Sequence, residues 1–238
     1  MALIFVNRYF YPDISATSQM LSDLARHAAS DGATVRVITS RQRLIDARAR
    51  LPVRENVDGV QVYRVWSTCM GRGSLLGRAI DYLSFHCSTW IMLLRLLAPG
   101  DRVIAATDPP MLGVGVSWFA TLRGARVVNW LHDIFPETAV ALGVPGLDSW
   151  LGRSLMSIRD RSLRAAALNV VIGDAMAAYV HSRGVPMRNI RVIHNWSDGQ
   201  AITPVTARDN PLRDTWGLQG KMVVGYSGNI GRAHDLAL

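Results

Sequence analysis

The chain has 238 residues, 49% of them hydrophobic and 18% charged, with a formal net charge of +8. That balance excludes an intrinsically disordered chain and supports a sizeable apolar core. All but one of the 26 basic residues are arginines, Lys221 being the exception; arginine suits phosphate and anionic-lipid contacts, and a GC-rich coding sequence also produces this bias. Cys69 and Cys87 show neither metal-ligand spacing nor a disulfide framework, which fits a reducing compartment. The apolar stretches Trp90 to Ala98 and Met111 to Leu122 fall short of the roughly 18 residues a spanning helix needs, so no transmembrane anchor or leader is expected.

Short apolar runs alternate with helical periodicity along the chain. Strands are expected at Ala2–Val6, Thr34–Thr39, Val60–Val65, Arg102–Ala106, Arg126–Leu131, Leu168–Ile172, Arg191–Ile193 and Met222–Tyr226. Continuous runs such as Val35 to Ile38 indicate strands covered on both faces. The first helix carries Met20, Leu21, Leu24, Ala25 and Ala28 on one stripe and stops at Gly32. The alternation implies an α/β fold with a doubly wound parallel sheet. Arg41 to Glu55 is arginine-rich and irregular, and reads as a solvated loop. Ser197 to Thr215 is polar, holds Pro204 and Pro211, and reads as a linker. Beyond it, Met222 to Tyr226 runs into Ser227-Gly228-Asn229-Ile230-Gly231, restarting a strand, turn and helix that the chain leaves unfinished. The expected organisation is a first domain over 1–196, a linker over 197–215 and the beginning of a second domain over 216–238.

The first loop, Asn7 to Gln19, contains no glycine. A dinucleotide fingerprint needs bare backbone at this turn, so a dehydrogenase or an NAD-dependent epimerase is not expected. Ser15-Ala16-Thr17-Ser18 leaves small residues and free N–H groups at a helix start, either to hold an anion or simply to cap the helix. His132-Asp133 follows the strand ending at Leu131, and Asp108-Pro109-Pro110 follows the preceding one. Ligands in open α/β sheets bind beyond such strand ends, where a His-Asp pair can hold a hydroxyl. Val192 to Asp198 closes the first domain, and Gly228, Gly231 and Arg232 form a turn that a phosphate could approach.

Taken together, Asn7–Gln19, Thr39–Gln42, His132–Glu137, Asn169–Asp174, Val192–Asp198, Asn210–Leu218 and Val223–His234 resemble bacterial glycosyltransferase family 4, in its surface-polysaccharide branch. The resemblance implies a GT-B fold: a complete N-terminal Rossmann-like domain plus the first βα element of a second. It implies a retaining, metal-independent enzyme, of hexosyl or N-acetylhexosaminyl type, with no cofactor beyond its nucleotide-sugar co-substrate. His132 and Asp133 then stand beside the reacting hydroxyl, and Ser15, Ala16, Gly228, Asn229 and Arg232 face the donor diphosphate. Arg8 and Asp108 fall on the acceptor side. Many relatives carry two glycines where this chain has Ile14-Ser15, and arginine where it has Asn229. The family's Glu-x7-Glu carboxylates would lie beyond Leu238.

On this resemblance the parent protein moves sugar to a lipid-linked saccharide, in O-antigen or exopolysaccharide synthesis. Its expected place is the cytoplasm, peripheral to the inner face of the plasma membrane, with no nucleic-acid partner, and the chain alone is expected to be inactive. The segment Tyr82 to Leu97, with Arg72 and Arg78 nearby, reads either as a core helix or as one that rests on an anionic membrane. A non-catalytic acceptor- or membrane-binding module is the competing reading.

Overall fold

The computed structural model describes residues 1–71, 74–197, 199 and 202–226. It separates into two compact units, Met1–Asn195 and Trp196–Leu238.

The first unit is built on an eight-stranded sheet. Its strands are β1 (Ala2–Val6), β2 (Thr34–Ser40), β3 (Arg54–Val57), β4 (Val60–Val65), β5 (Arg102–Ala105), β6 (Arg126–Leu131), β7 (Leu168–Val171) and β8 (Ile190–Val192). The spatial order is β3-β4-β2-β1-β5-β6-β7-β8. Every pairing is parallel except the β3–β4 hairpin. Successive strands step outward one way from β1 and then the other way from β5, so the order reverses between these two strands. A crevice opens at such a reversal, beyond the carboxyl ends of the strands.

Helices α1 (Ala16–Ser30), α2 (Leu75–Leu96), α3 (Leu112–Leu122), α4 (Glu137–Ala141), α5 (Trp150–Ala165) and α6 (Asp174–Ser182) connect the strands. The alternation of side chains along β1 assigns them to two cores. Ile4 and Val6 pack with Phe85, Leu93, Leu112 and Val116 on the α2–α3 side. Phe5 packs with Met20, Leu21 and Ala25 of α1 on the other. Each fully buried side chain of this size contributes roughly 1.5–3 kcal/mol, and the sheet is held from both faces. A third cluster joins Leu131, Leu163 and Val171 to α6.

Local signals set the helix ends. The Ser15 hydroxyl accepts from the Ser18 N–H at 3.4 Å, and Ser74 accepts from Gly77 at 3.0 Å. Gly32, at φ +85, takes the left-handed position after α1. Three start-to-end features depart from expectation. Arg54–Val57, whose first two residues read as the end of a loop, forms β3, because Asp58 (φ 51) and Gly59 (φ 86) make a tight turn that returns it along β4. The expected linker holds a short helix, α7 (Pro211–Thr215), capped by the Asn210 side chain on the Leu212 N–H at 3.0 Å. Residues 222–226, expected as a strand, take no regular structure and are exposed, since a strand needs a ladder partner and the described residues supply none.

Helix α2 has a buried side and an exposed apolar side. Phe85 and Leu93 are buried in the core, while Leu76, Leu83 and Ile91 are 72%, 59% and 52% exposed. Among the described residues, no helix is long and apolar enough to cross a membrane.

Candidate active site

The sheet ladder carries the site loops past the strand ends. The Ala106 N–H donates to the Val6 carbonyl at 3.0 Å, and the Arg8 N–H to the Asp108 carbonyl at 2.9 Å. The Arg8 carbonyl in turn accepts from the Ser40 N–H and the Thr39 hydroxyl, each at 3.0 Å. Arg8 and Asp108 are thus fixed to each other through the backbone at the point where the strand order reverses. Tyr11–Pro12, Asp108–Pro109 and Phe135–Pro136, one in each loop after β1, β5 and β6, are cis peptide bonds.

The Arg8 guanidinium lies 5.3 Å from the Tyr9 ring centroid and 5.1 Å from that of Tyr82, with Asp81 at 3.9 Å. Burial pushes the Tyr9 hydroxyl up to about 12 and raises Tyr82, so both stay protonated. Burial likewise raises the Asp108 carboxyl to about 6; Arg8 opposes the rise, and the carboxylates of Asp133 and Asp13 add to it. His132 is half-buried beside the Trp130 ring, 4.7 Å between centroids. Burial lowers its pKa, partly offset by Asp133, so the imidazole is neutral near pH 7. Asn7 Oδ1, Arg8 Nε and His132 Nε2 are buried without a hydrogen-bond partner among the described residues.

A cavity of about 600 Å³ opens here, with Asp108 and Asp133 in its wall together with Arg78 and Tyr82 of α2. The expected site residues therefore divide. Asp108 and Asp133 line the cavity, Arg8 is locked to Asp108, and His132 precedes Asp133 in the chain. Ser15 caps α1, and the exposed Ala16 opens its first turn, on the loop after β1. Gly228, Asn229 and Arg232 lie outside the described residues, as does Arg72.

A second set of residues was not visible in the sequence. Arg159 of α5 donates to Glu137 through both terminal nitrogens, at 3.0 and 2.6 Å, to the Phe135 carbonyl at 3.1 Å, and through Nε to Asp160 at 2.8 Å. Arg183 holds the other Asp160 oxygen at 2.9 and 2.6 Å, and the Tyr179 hydroxyl bonds to Glu137. Burial alone would raise the pKa of Glu137, but these donors take it below the ordinary carboxylate range. The network clamps the loop that carries His132 and Asp133 to α5. Among the described residues, no group of three or more His, Cys, Asp or Glu side chains is placed to hold a metal ion.

Comparison with known proteins agrees with this architecture. The chain is 33% identical over 140 residues to the probable glycosyltransferase WbjE of Pseudomonas aeruginosa, covering 58% of this chain and 34% of that protein. It is 26% identical over 229 residues to a GDP-mannose-dependent alpha-mannosyltransferase of Mycobacterium tuberculosis, covering 93% and 54%. The chain therefore spans about a third to just over half of the length of these relatives. Among solved structures, HepE from Anabaena, crystallised with UDP, superposes with a TM-score of 0.54 at 14% identity, covering 92% of this chain and 50% of that one. Sucrose-phosphate synthase from Thermosynechococcus elongatus gives 0.60 at 12% identity, covering 91% and 52%. Both likenesses bear on the fold alone. Residues 15–196 match the glycosyl transferase 4-like domain, and the chain belongs to that family.

Proposed function

We propose that the chain is the acceptor-side part of a retaining glycosyltransferase that moves a hexosyl-type sugar, without a metal, from a nucleotide-sugar donor to a lipid-linked saccharide in surface-polysaccharide assembly. The observation that carries this reading is that Asp108 and Asp133 line one cavity beyond the strand ends, with Asp108 tied by its backbone to Arg8 where the strand order reverses. The polysaccharide role is supported by the likeness to WbjE, and GDP-mannose is the first donor to test because of the mannosyltransferase relatives.

In the transfer, the departing nucleoside diphosphate gains negative charge as the sugar approaches an oxocarbenium-like state. Backbone N–H groups at the start of α1 and arginine side chains stabilise that charge without a metal. Asp133 and the neutral imidazole of His132 hold the acceptor hydroxyl, and Asp108 takes a hydrogen bond from its neighbour on the ring; this is positioning work. The Glu137–Arg159 clamp keeps their loop still while the hydroxyl is held.

Association with an anionic membrane belongs to the same proposal. It is supported by the exposed Leu76, Leu83 and Ile91 on α2, by the net charge of +8, and by the burial of Asp81, the one acid in that helix. The cytoplasmic face of the membrane is where both partners would meet. A binding module without turnover is the second reading.

The test is sugar transfer by the protein encoded by the whole reading frame, beside the 238-residue chain, using GDP-, UDP- and dTDP-sugars with lipid-diphosphate saccharides. Retained anomeric configuration in a product made by the longer protein supports the enzyme. Folded protein with no transfer from any donor favours the binding module.

A further inference from the structure

The cavity beside the site has walls of two kinds. Met111 and Val114 at the start of α3, Ile134, Ala139 and Leu142 around α4, and Leu147 make one side apolar. Polar side chains do occur there, yet most of their hydrogen-bonding groups are already engaged within the protein. The Thr138 hydroxyl donates to the Ile134 carbonyl at 2.8 Å, and the Ser162 hydroxyl to the Gly113 carbonyl at 3.1 Å. Asn129 gives its amide to Asn169 at 2.9 Å, and Arg159 is committed to Glu137 and Asp160. A saccharide pressed against this wall would leave its hydroxyls unpaired, at a cost for each one. Hydrocarbon loses nothing there.

The polar groups still open to a ligand include the Thr107 and Tyr82 hydroxyls, which line the cavity with no hydrogen bond among the described residues, and three charged groups. Asp108 and Asp133 stand on the carboxyl ends of β5 and β6. Among the described residues, Arg78, in the first turn of α2, donates its Nε to the Gly71 carbonyl at 3.2 Å and has no bond from its terminal nitrogens, which face an anion readily. Beside it Leu75, also in the cavity wall, is 55% exposed, so the apolar surface continues to the outside. The volume, about 600 Å³, lies within the range of sites for drug-sized ligands.

We propose that this cavity seats the hydrocarbon chain of an amphiphilic acceptor whose phosphate-class head is held by Arg78 and whose reacting hydroxyl faces Asp108 and Asp133. The inference rests on the reading of this face as the acceptor side, and it deepens that reading by naming the part of the acceptor that the protein recognises. Free sugars and sugar phosphates without a chain are poor ligands for it.

The test titrates the 238-residue chain with inorganic phosphate and with hexyl, octyl and decyl phosphate, all below their micelle concentrations. Binding should tighten about three- to fourfold per added methylene, and about a hundredfold from hexyl to decyl. Methyl resonances of Met111, Val114 and Ile134 should shift on saturation. Arg78→Ala should weaken all three alkyl phosphates by a similar factor and preserve the chain-length slope. Val114→Trp and Ala139→Trp, which fill the cavity from two different helices, should weaken decyl phosphate at least tenfold while circular dichroism stays native. Affinity independent of chain length overturns the proposal. So do shifts confined to outward residues such as Ile91 and Leu122; the chain-length and methyl readouts stand even where a tryptophan variant misfolds. Separately, a whole-frame protein that glycosylates a chain-free saccharide phosphate as fast as the lipid-linked form would overturn this inference and leave the transferase reading intact. A steep chain-length slope with no transfer from any nucleotide sugar would do the reverse.

Discussion

Glu137 and Arg159, twenty-two residues apart in sequence, meet in a two-bond fork at 3.0 and 2.6 Å that spans from the start of α4 to the middle of α5. Their side chains are 29% and 8% exposed, so removing the acid leaves a mostly buried cation with Asp160 as its remaining charged partner. Glu137→Ala is expected to cost about 1–3 kcal/mol, and Glu137→Gln somewhat less, since one amide oxygen can still accept. Because the folded-state pKa of Glu137 lies below its ordinary 4.5, its stabilising contribution is complete above that value and is lost as pH falls through the lower folded value. Urea melts of wild type and Glu137→Gln should converge in acid and separate at neutral pH.

Asp108 has the opposite sign. Its carboxyl rises from 3.8 to about 6 on folding, so the ionised form penalises the folded state. The penalty is absent below 3.8, grows between the two values and is complete above about 6. Such a shift converts to roughly 3 kcal/mol, which solvent contact at this half-buried group reduces to about 1–2 kcal/mol. Asp108→Asn should therefore stabilise the protein at neutral pH and flatten the slope of stability across that window. The same variant should lower transfer in the whole-frame protein, separating a residue kept for function from one kept for stability.

His132 is neutral near pH 7 because burial lowers its pKa. Transfer by the whole-frame protein is expected to hold as pH falls to the ordinary histidine value of 6.5 and to decline only below it. His132→Gln should cut kcat by about 10- to 100-fold with a smaller change in KM. A pH profile that declines well above 6.5 would assign the titration to another group.

Ser15 separates capping from ligand contact. Ser15→Ala removes the bond to the Ser18 N–H and should cost about 1 kcal/mol, whereas Ser15→Gly should cost only a few tenths. If the loop faces the donor phosphates, Ser15→Gly keeps or improves donor affinity, measured by isothermal titration. Loss of donor affinity in that variant without loss of stability would mean the hydroxyl itself touches the donor.

Gly152 sets the entry to α5. A Cβ there would stand 1.7 Å from the Leu147 carbonyl oxygen, a backbone atom that cannot swing aside. Gly152→Ala is expected to destabilise by more than about 2 kcal/mol, lowering Tm, because the turn at the cavity rim must move.

The central sheet was legible because β1, β2, β4, β5 and β6 are runs of apolar residues that differ from the helical stripes between them. Arg54–Val57 carries a single apolar residue and sits in an arginine-rich stretch, so periodicity could not separate β3 from solvated loop; the Asp58-Gly59 pair was the available sign. Val223 and Val224 made the reverse error, since apolar β-formers imply a strand only where a ladder exists. At the site, Arg8, Asp108 and Asp133 could be found from their places after strands. Arg159 could not. An arginine on a helix reads as a solvated charge until the fold brings Glu137 and Asp160 to it. The cavity was equally hidden, because its walls come from segments spread from Leu75 to Leu163.

The antiparallel hairpin has one more effect. A parallel sheet left bare at its rim offers a row of unpaired amides to any neighbouring chain. Here the rim on one side is β3, four residues carrying Arg54, Glu55 and Asn56, and on the other β8, three residues centred on Arg191. Strands so short and charged make poor templates for a visiting strand. The fold thereby guards against end-to-end growth of its own sheet, so that the first unit should stay monodisperse at concentrations where an uncharged rim would begin to polymerise.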